Sequence, residues 1–108
     1  MLQNKNIIIT GAAGGIGLAA AHRFAREGAF VIGLDVNPTA CESASAALAA
    51  EGYESLFIPC DISSPEAVDA AFEKIGKAVD RIDAVYNNEK ATATIRIVLH
   101  YRSQTNTP

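Results

Sequence analysis

The chain has 108 residues, is 49% hydrophobic and carries a formal net charge of −3. That is the length of one small domain, able to bury about 65% of its unfolded surface in a modest core, and the hydrophobic content predicts a folded globule rather than disorder. The acidic balance argues against nucleic acid as the main partner, because no basic excess is there to meet phosphates. No apolar run approaches the roughly 18 residues of a membrane span, and the opening MLQNKNIII lacks the layout of a signal peptide. Two cysteines, Cys41 and Cys60, are too few for a disulfide framework, so a reducing cytoplasm is the simplest setting. No Cys/His cluster has metal-ligand spacing, so no metal site is expected.

Greasy runs alternate with helical patterns along the chain. NIIIT (6–10) is the first run, continuous and β-branched. From 15 to 27, Ile16, Ala20 and Phe24 recur every four residues, which predicts a helix with that stripe buried and Gly28 as its stop. FVIGLD (30–35) is the second strand. A weaker stripe of Cys41, Ala44 and Leu48 predicts a helix over about 39–51, opened by a Thr39/Glu42 capping box and closed by Gly52. SLFIPC (55–60) is the third strand. Val68, Ala71, Phe72, Ile75 and Val79 form the clearest stripe, over 65–79, with Ser63 or Ser64 as cap and Pro65 in the first turn, where a missing N–H costs little. IDAVYN (82–87) is the fourth strand.

Strands that are apolar on both sides belong to a parallel sheet covered by helices. Right-handed crossovers turn the order β-α-β-α-β-α-β into half of a doubly wound α/β sheet with spatial order 3-2-1-4. In such sheets a ligand binds beyond the carboxyl ends of the strands where the order reverses, here between the first strand and the fourth.

That crevice is reached through TGAAGGIG (10–17). Gly11 stands where the chain must turn sharply from strand to helix, and glycine tolerates the backbone angles needed there. Missing side chains let a pyrophosphate approach the backbone, and the amides opening the next helix meet the anion, aided by the helix dipole. Gly17 is expected to let the helix pack close to the sheet. A glycine triplet alone often builds nothing more than a tight turn. Here it follows a strand and opens a helix, the context a dinucleotide site requires. Asp35 ends the second strand, where a carboxylate accepts hydrogen bonds from the adenosine ribose and repels a 2′-phosphate. On its own it would read as a solvated acid. No Lys or Arg lies in 10–17 or directly after Asp35, so NAD is preferred over NADP. Asp61, at the end of the third strand, either accepts from the adenine amino group or caps the turn before Ser63. Cys60 beside it is read as a small buried apolar residue.

These residues resemble the short-chain dehydrogenase/reductase family. TGAAGGIG fits its T-G-x-x-x-G-x-G signature, and DV (35–36), CDIS (60–63) and RIDAVYNN (81–88) fall where that family has its acidic strand end, its adenine-side Asp and its Asn-Asn strand. The resemblance covers about residues 4 to 88. It implies a Rossmann-type three-layer fold over 1–90 and hydride transfer between a nicotinamide and an alcohol or carbonyl. It also implies that Thr10, Gly11, Gly15, Ile16, Gly17 and Asp35 carry the cofactor, that Asp61 touches adenine, and that Asn87 lies near the nicotinamide-side ribose. The sequence then departs. The family continues N-N-A-G where this chain has Glu89 and Lys90, and 91–108 is a divergent tail.

Catalysis in that family resembles acid–base work by a tyrosine whose pKa is lowered by a lysine four residues on. Tyr86 and Lys90 have the spacing, but on an extended segment such residues stand about 13 Å apart, and no serine lies between Ser64 and Tyr86. No catalytic set is therefore assigned. In the tail, Ile95, Ile97, Leu99 and Tyr101 alternate with Thr94, Arg96, Val98 and His100, which predicts an extra antiparallel strand on the edge of the fourth, turned through NEKAT, before a frayed end. Three readings compete: an oxidoreductase fragment, by truncation or frame change after Asn88; a non-catalytic dinucleotide-binding module; and an interaction protein that self-associates through an exposed sheet edge.

Overall fold

A computed structural model describes residues 1–88. The expected tail strand, its NEKAT turn and Lys90 lie outside the described residues. The chain runs β1 (Asn6–Thr10), α1 (Gly15–Arg26), β2 (Phe30–Asp35), α2 (Pro38–Ala50), β3 (Ser55–Pro59), α3 (Pro65–Ala78) and β4 (Ala84–Tyr86). The four strands form one parallel sheet in the order β3-β2-β1-β4.

The alternation of side chains across β1 and β2 builds two cores from one sheet. Ile8, Ile32 and Leu34 point to one face, where Ile58, Val68, Ala71, Phe72 and Ile75 close the core under α3. Ile7, Ile9 and Val31 point to the other, against Ala21 and Ala25 of α1 and Leu48 of α2. Ile8, Ile9, Val31 and Ile32 are wholly shielded from solvent. Each contributes about 1.5–3 kcal/mol relative to exposure. The layers are therefore α1 and α2, the sheet, then α3. No helix among the described residues is long and apolar enough to cross a membrane.

The buried stripe of α1 is displaced by one residue from the expected Ile16, Ala20 and Phe24. Gly17, Ala21 and Ala25 are the buried residues, while Ile16 is 70% exposed. Small residues let this helix ride close on the strands, so its bulkier residues sit beside the contact or outside it. The stripe of α2 holds at Cys41, Ala44 and Leu48, but its cap does not. The Asn37 side chain accepts from the Ala40 N–H at 3.0 Å with Pro38 in the first turn, and Thr39 lies inside the helix. Asn37 wins because its short carbonyl reaches the third amide of a helix that opens on proline. In α3 the cap is Ser64, accepting from the Ala67 N–H at 3.2 Å.

α1 and α2 end alike. Gly28 and Gly52 take positive φ (+105° and +88°). The Ala29 amide donates to Phe24 O and that of Gly28 to Ala25 O; Tyr53 donates to Leu48 O and Gly52 to Ala49 O. Each pair is a Schellman closure that satisfies the last carbonyls of its helix.

β4 is shorter than its pattern, and side chains hold its flanks. Below it, Asn6 N–H donates to Asp83 Oδ2 at 2.7 Å, Asn6 Nδ2 to Arg81 O, and Arg81 Nη2 to Asn4 O at 2.8 Å. Arg81 Nε pairs with Asp83 Oδ1 at 2.9 Å. The Asn6 amide, then Arg81, hold the Asp83 carboxyl below the usual carboxylate range.

Candidate functional site

The carboxyl ends of β1, β2 and β4 meet around the turn 11–14. Gly11 and Gly15 hold it in left-handed backbone at φ +59° and +56°. Side chains at either would strain the backbone. A Cβ on Gly17 would be driven into the Gly11 carbonyl, so the third glycine serves the fit of helix to turn rather than of helix to sheet. The start of α1 is open. Gly14 is its N-cap in extended backbone, no side chain caps it, and its first turn holds no acidic residue. The first intrahelical bond is Leu18 N–H to Gly14 O, so the amides of residues 15 to 17 precede the ladder. Around Gly14 and Gly15 there is open space where a Cβ would stand.

Asp35 is fastened to this turn. Its Oδ2 accepts from the Ala13 N–H and its Oδ1 from the Asn37 N–H, both at 3.1 Å. Its own carbonyl accepts from the Cys60 N–H at 2.8 Å and lies 3.7 Å from Cys41 Sγ. A carboxylate offers about four acceptor positions, so two amides leave room for hydroxyl donors. The neighbouring strand end is set by Ser63, whose hydroxyl and amide both donate to Asp61 Oδ1 (2.6 and 3.0 Å) and lower that carboxyl's pKa. Asp61 therefore caps its turn in the protein alone.

The opposite wall is stitched through Thr10. This residue is completely buried. Its hydroxyl donates to Asn87 Oδ1 at 3.0 Å and accepts from the Asn88 N–H at 2.9 Å, while Asn88 Nδ2 reaches Gly11 O at 3.4 Å. Of the residues expected at the site, the structure gathers Gly11, Gly15, Ile16, Gly17 and Asp35 at one mouth. Thr10 and Asn87 lie in the wall behind it, and Asp61 lies in the turn just past the end of β3. Ala13 and Asn88 were not read from the sequence. An alanine amide leaves no mark there, and only the doubled asparagine after the strand signals the second. Tyr86 lies on β4, and its ring packs edge-on against Phe24 at 5.6 Å.

The family model for short chain dehydrogenases matches residues 5–101, continuing past Asn88. The chain belongs to the short chain dehydrogenase family. It is 46% identical over 87 residues to the uncharacterized oxidoreductase YxjF of Bacillus subtilis (strain 168), which covers 81% of this chain and 34% of that protein. The structure superposes on NAD+-bound xylitol dehydrogenase with a TM-score of 0.87 at 28% identity, covering 95% of this chain and 48% of that one. L-Sorbose reductase from Gluconobacter frateurii, complexed with NADPH and L-sorbose, gives 0.84 at 25% identity, covering 95% and 49%. The chain thus spans about a third of the length of its curated relatives and about half of these solved chains.

Proposed function

We propose that the turn 11–17 and Asp35 hold the adenosine diphosphate half of a nicotinamide dinucleotide, NAD in preference to NADP, within a short-chain oxidoreductase acting on an alcohol or carbonyl. The observation that carries this is the uncapped start of α1, entered through Gly11 and Gly15 with the Asp35 carboxylate fastened beside it. Amides 15 to 17 and the helix dipole meet the diphosphate. Asp35 accepts from the ribose hydroxyls and repels a 2′-phosphate. Exposed Ile16 walls the mouth, Asn87 borders the nicotinamide side through Thr10, and Asp61 exchanges part of its Ser63 contact for adenine. The bound dinucleotide supplies the hydride acceptor or donor. Of the similar solved structures one holds NAD+ and another NADPH, so the preference rests on Asp35 and on the lack of Lys or Arg in 10–17 and directly after Asp35 in sequence.

No acid–base set for hydride transfer is assigned among the described residues. The chain's one Tyr-x-x-x-Lys spacing, Tyr86 and Lys90, starts on a strand rather than a helix. The chain by itself is a cofactor-binding module that does not turn over substrate. The thiols of Cys41 and Cys60 are buried, and burial raises the pKa of each, which suits a reducing, cytoplasmic setting. Titration calorimetry tests the reading. NADH should bind in the micromolar range and NADPH at least about tenfold more weakly, a gap of 1.4 kcal/mol. A chain that binds neither defeats it.

A second reading is self-association. β3 and β4 are the edge strands of the sheet, and neither outer edge is paired among the described residues. Concentration-dependent size in light scattering supports it, and a monomer at high concentration ends it.

A further inference from the structure

The position of Asp35 carries more than ribose recognition. Its two carboxylate oxygens are engaged in the protein alone, one by the Ala13 amide inside the glycine turn and the other by the Asn37 amide at the start of α2. The turn has one further tie to β2, the Ala12 N–H to Leu34 O at 3.3 Å, next to Asp35 in sequence. On its other side it meets Asn88 Nδ2 through Gly11 O at 3.4 Å, at the long end of hydrogen-bonding distance. Among the described residues, the one bond from an ionised group to the turn is therefore the one from Ala13 to Asp35, and bonds to charged acceptors are the strong ones.

We propose that Asp35 is a positioning residue for the phosphate-binding turn as well as its ribose ligand, so that sugar selection and the order of the turn are coupled through one carboxylate. This rests on the cofactor site described above. The coupling bears on specificity. A ligand with a 2′-phosphate pushes the carboxylate away and thereby strips Ala13 of its acceptor, so discrimination against it includes the loosening of the turn. Replacing Asp35 with a small residue, the obvious route to NADP, leaves the turn unsupported and yields a weak binder of both dinucleotides.

The test compares Asp35→Asn with Asp35→Ala. Both remove the charge, and only asparagine keeps an acceptor oxygen for Ala13. In the cofactor-free chain, Ala13 amide exchange should be slowest in wild type, about tenfold faster in Asp35→Ala, and between the two in Asp35→Asn, whose one uncharged oxygen serves only one of the two amides. The amide of Ile32, deep in β2, serves as internal control and should not change. Equal Ala13 rates in the three proteins overturn the positioning role, as does an equal acceleration at Ile32, which would mean general destabilisation. NADH titration separates the two ideas. Bound NADH with Ala13 exchange indifferent to residue 35 removes the positioning role alone. Asp35-dependent protection in a chain that binds no NADH removes the cofactor reading and leaves the positioning role standing.

Discussion

Three helices start at or near the carboxyl end of a strand, and they start differently. α2 and α3 each begin with proline in the first turn and a side-chain cap, from Asn37 and Ser64. α1 begins with glycines and no side-chain cap. A cap contributes about 1 kcal/mol to helix stability. The two capped helices are finished within the protein. The first forgoes that stability at the one place where the sheet order reverses, and the amides left over are what an anion would use. An incomplete helix start thus has meaning only beside complete ones.

The largest effect should come from closing the turn. Gly17→Ala drives a methyl into the Gly11 carbonyl. Backbone cannot swing aside as a side chain does, so overpacking of about 1–3 kcal/mol is expected. NADH affinity should fall at least a hundredfold by calorimetry, with a lower melting temperature. Next, Ser64→Ala removes the cap of α3 and should cost about 1 kcal/mol in denaturant unfolding. NADH affinity should stay within twofold, because α3 lies on the other face. The sharpest variant is Gly14→Ser. Gly14 is already extended, and a Cβ there meets nothing. Serine should cap α1 and stabilise the cofactor-free chain by a few tenths of a kcal/mol. The same hydroxyl occupies amides the diphosphate needs, so affinity should fall about tenfold by the reading of those amides as its ligands. Opposite signs in melting and binding make this a direct test of the contrast.

The smallest effect lies at the far end of the sheet. The carboxyl of Asp83 is held low by the Asn6 amide and Arg81. A depressed carboxyl stabilises the fold fully above its unfolded value, about 4, and that stability is lost as pH falls through the lower folded value. Denaturant midpoints should therefore fall between pH 5 and pH 3, and less so in Asp83→Asn. NADH affinity at neutral pH should be unchanged by that variant.

The strand order and both faces of the core were legible because β-branched runs and helical stripes repeat at two distinct periods. The misphased stripe of α1 shows where that reading fails. Large residues draw attention, yet a helix pressed against backbone buries its small ones, and here Gly17, Ala21 and Ala25 take the inside. The capping box at Thr39 and Glu42 satisfied a pattern, but Pro38 had already opened the helix one residue earlier. At the site, Gly11, Gly15, Gly17 and Asp35 could be named because their side chains, or lack of them, carry the geometry. The partners that hold them could not. Ala13 and Cys60 act through amides that every residue but proline possesses, and Asn88 acts partly so.

The stitching of β4 has a kinetic consequence. Thr10 and Asn87, and Asn6 and Asp83, are each 77 residues apart along the chain. Joining such distant segments carries a loop-closure entropy that neighbouring strand pairs do not. β1, β2 and β3 should assemble first, with β4 docking late. The wall that Asn87 and Asn88 raise behind the glycine turn would then be the last part of the mouth to form, and the first to open.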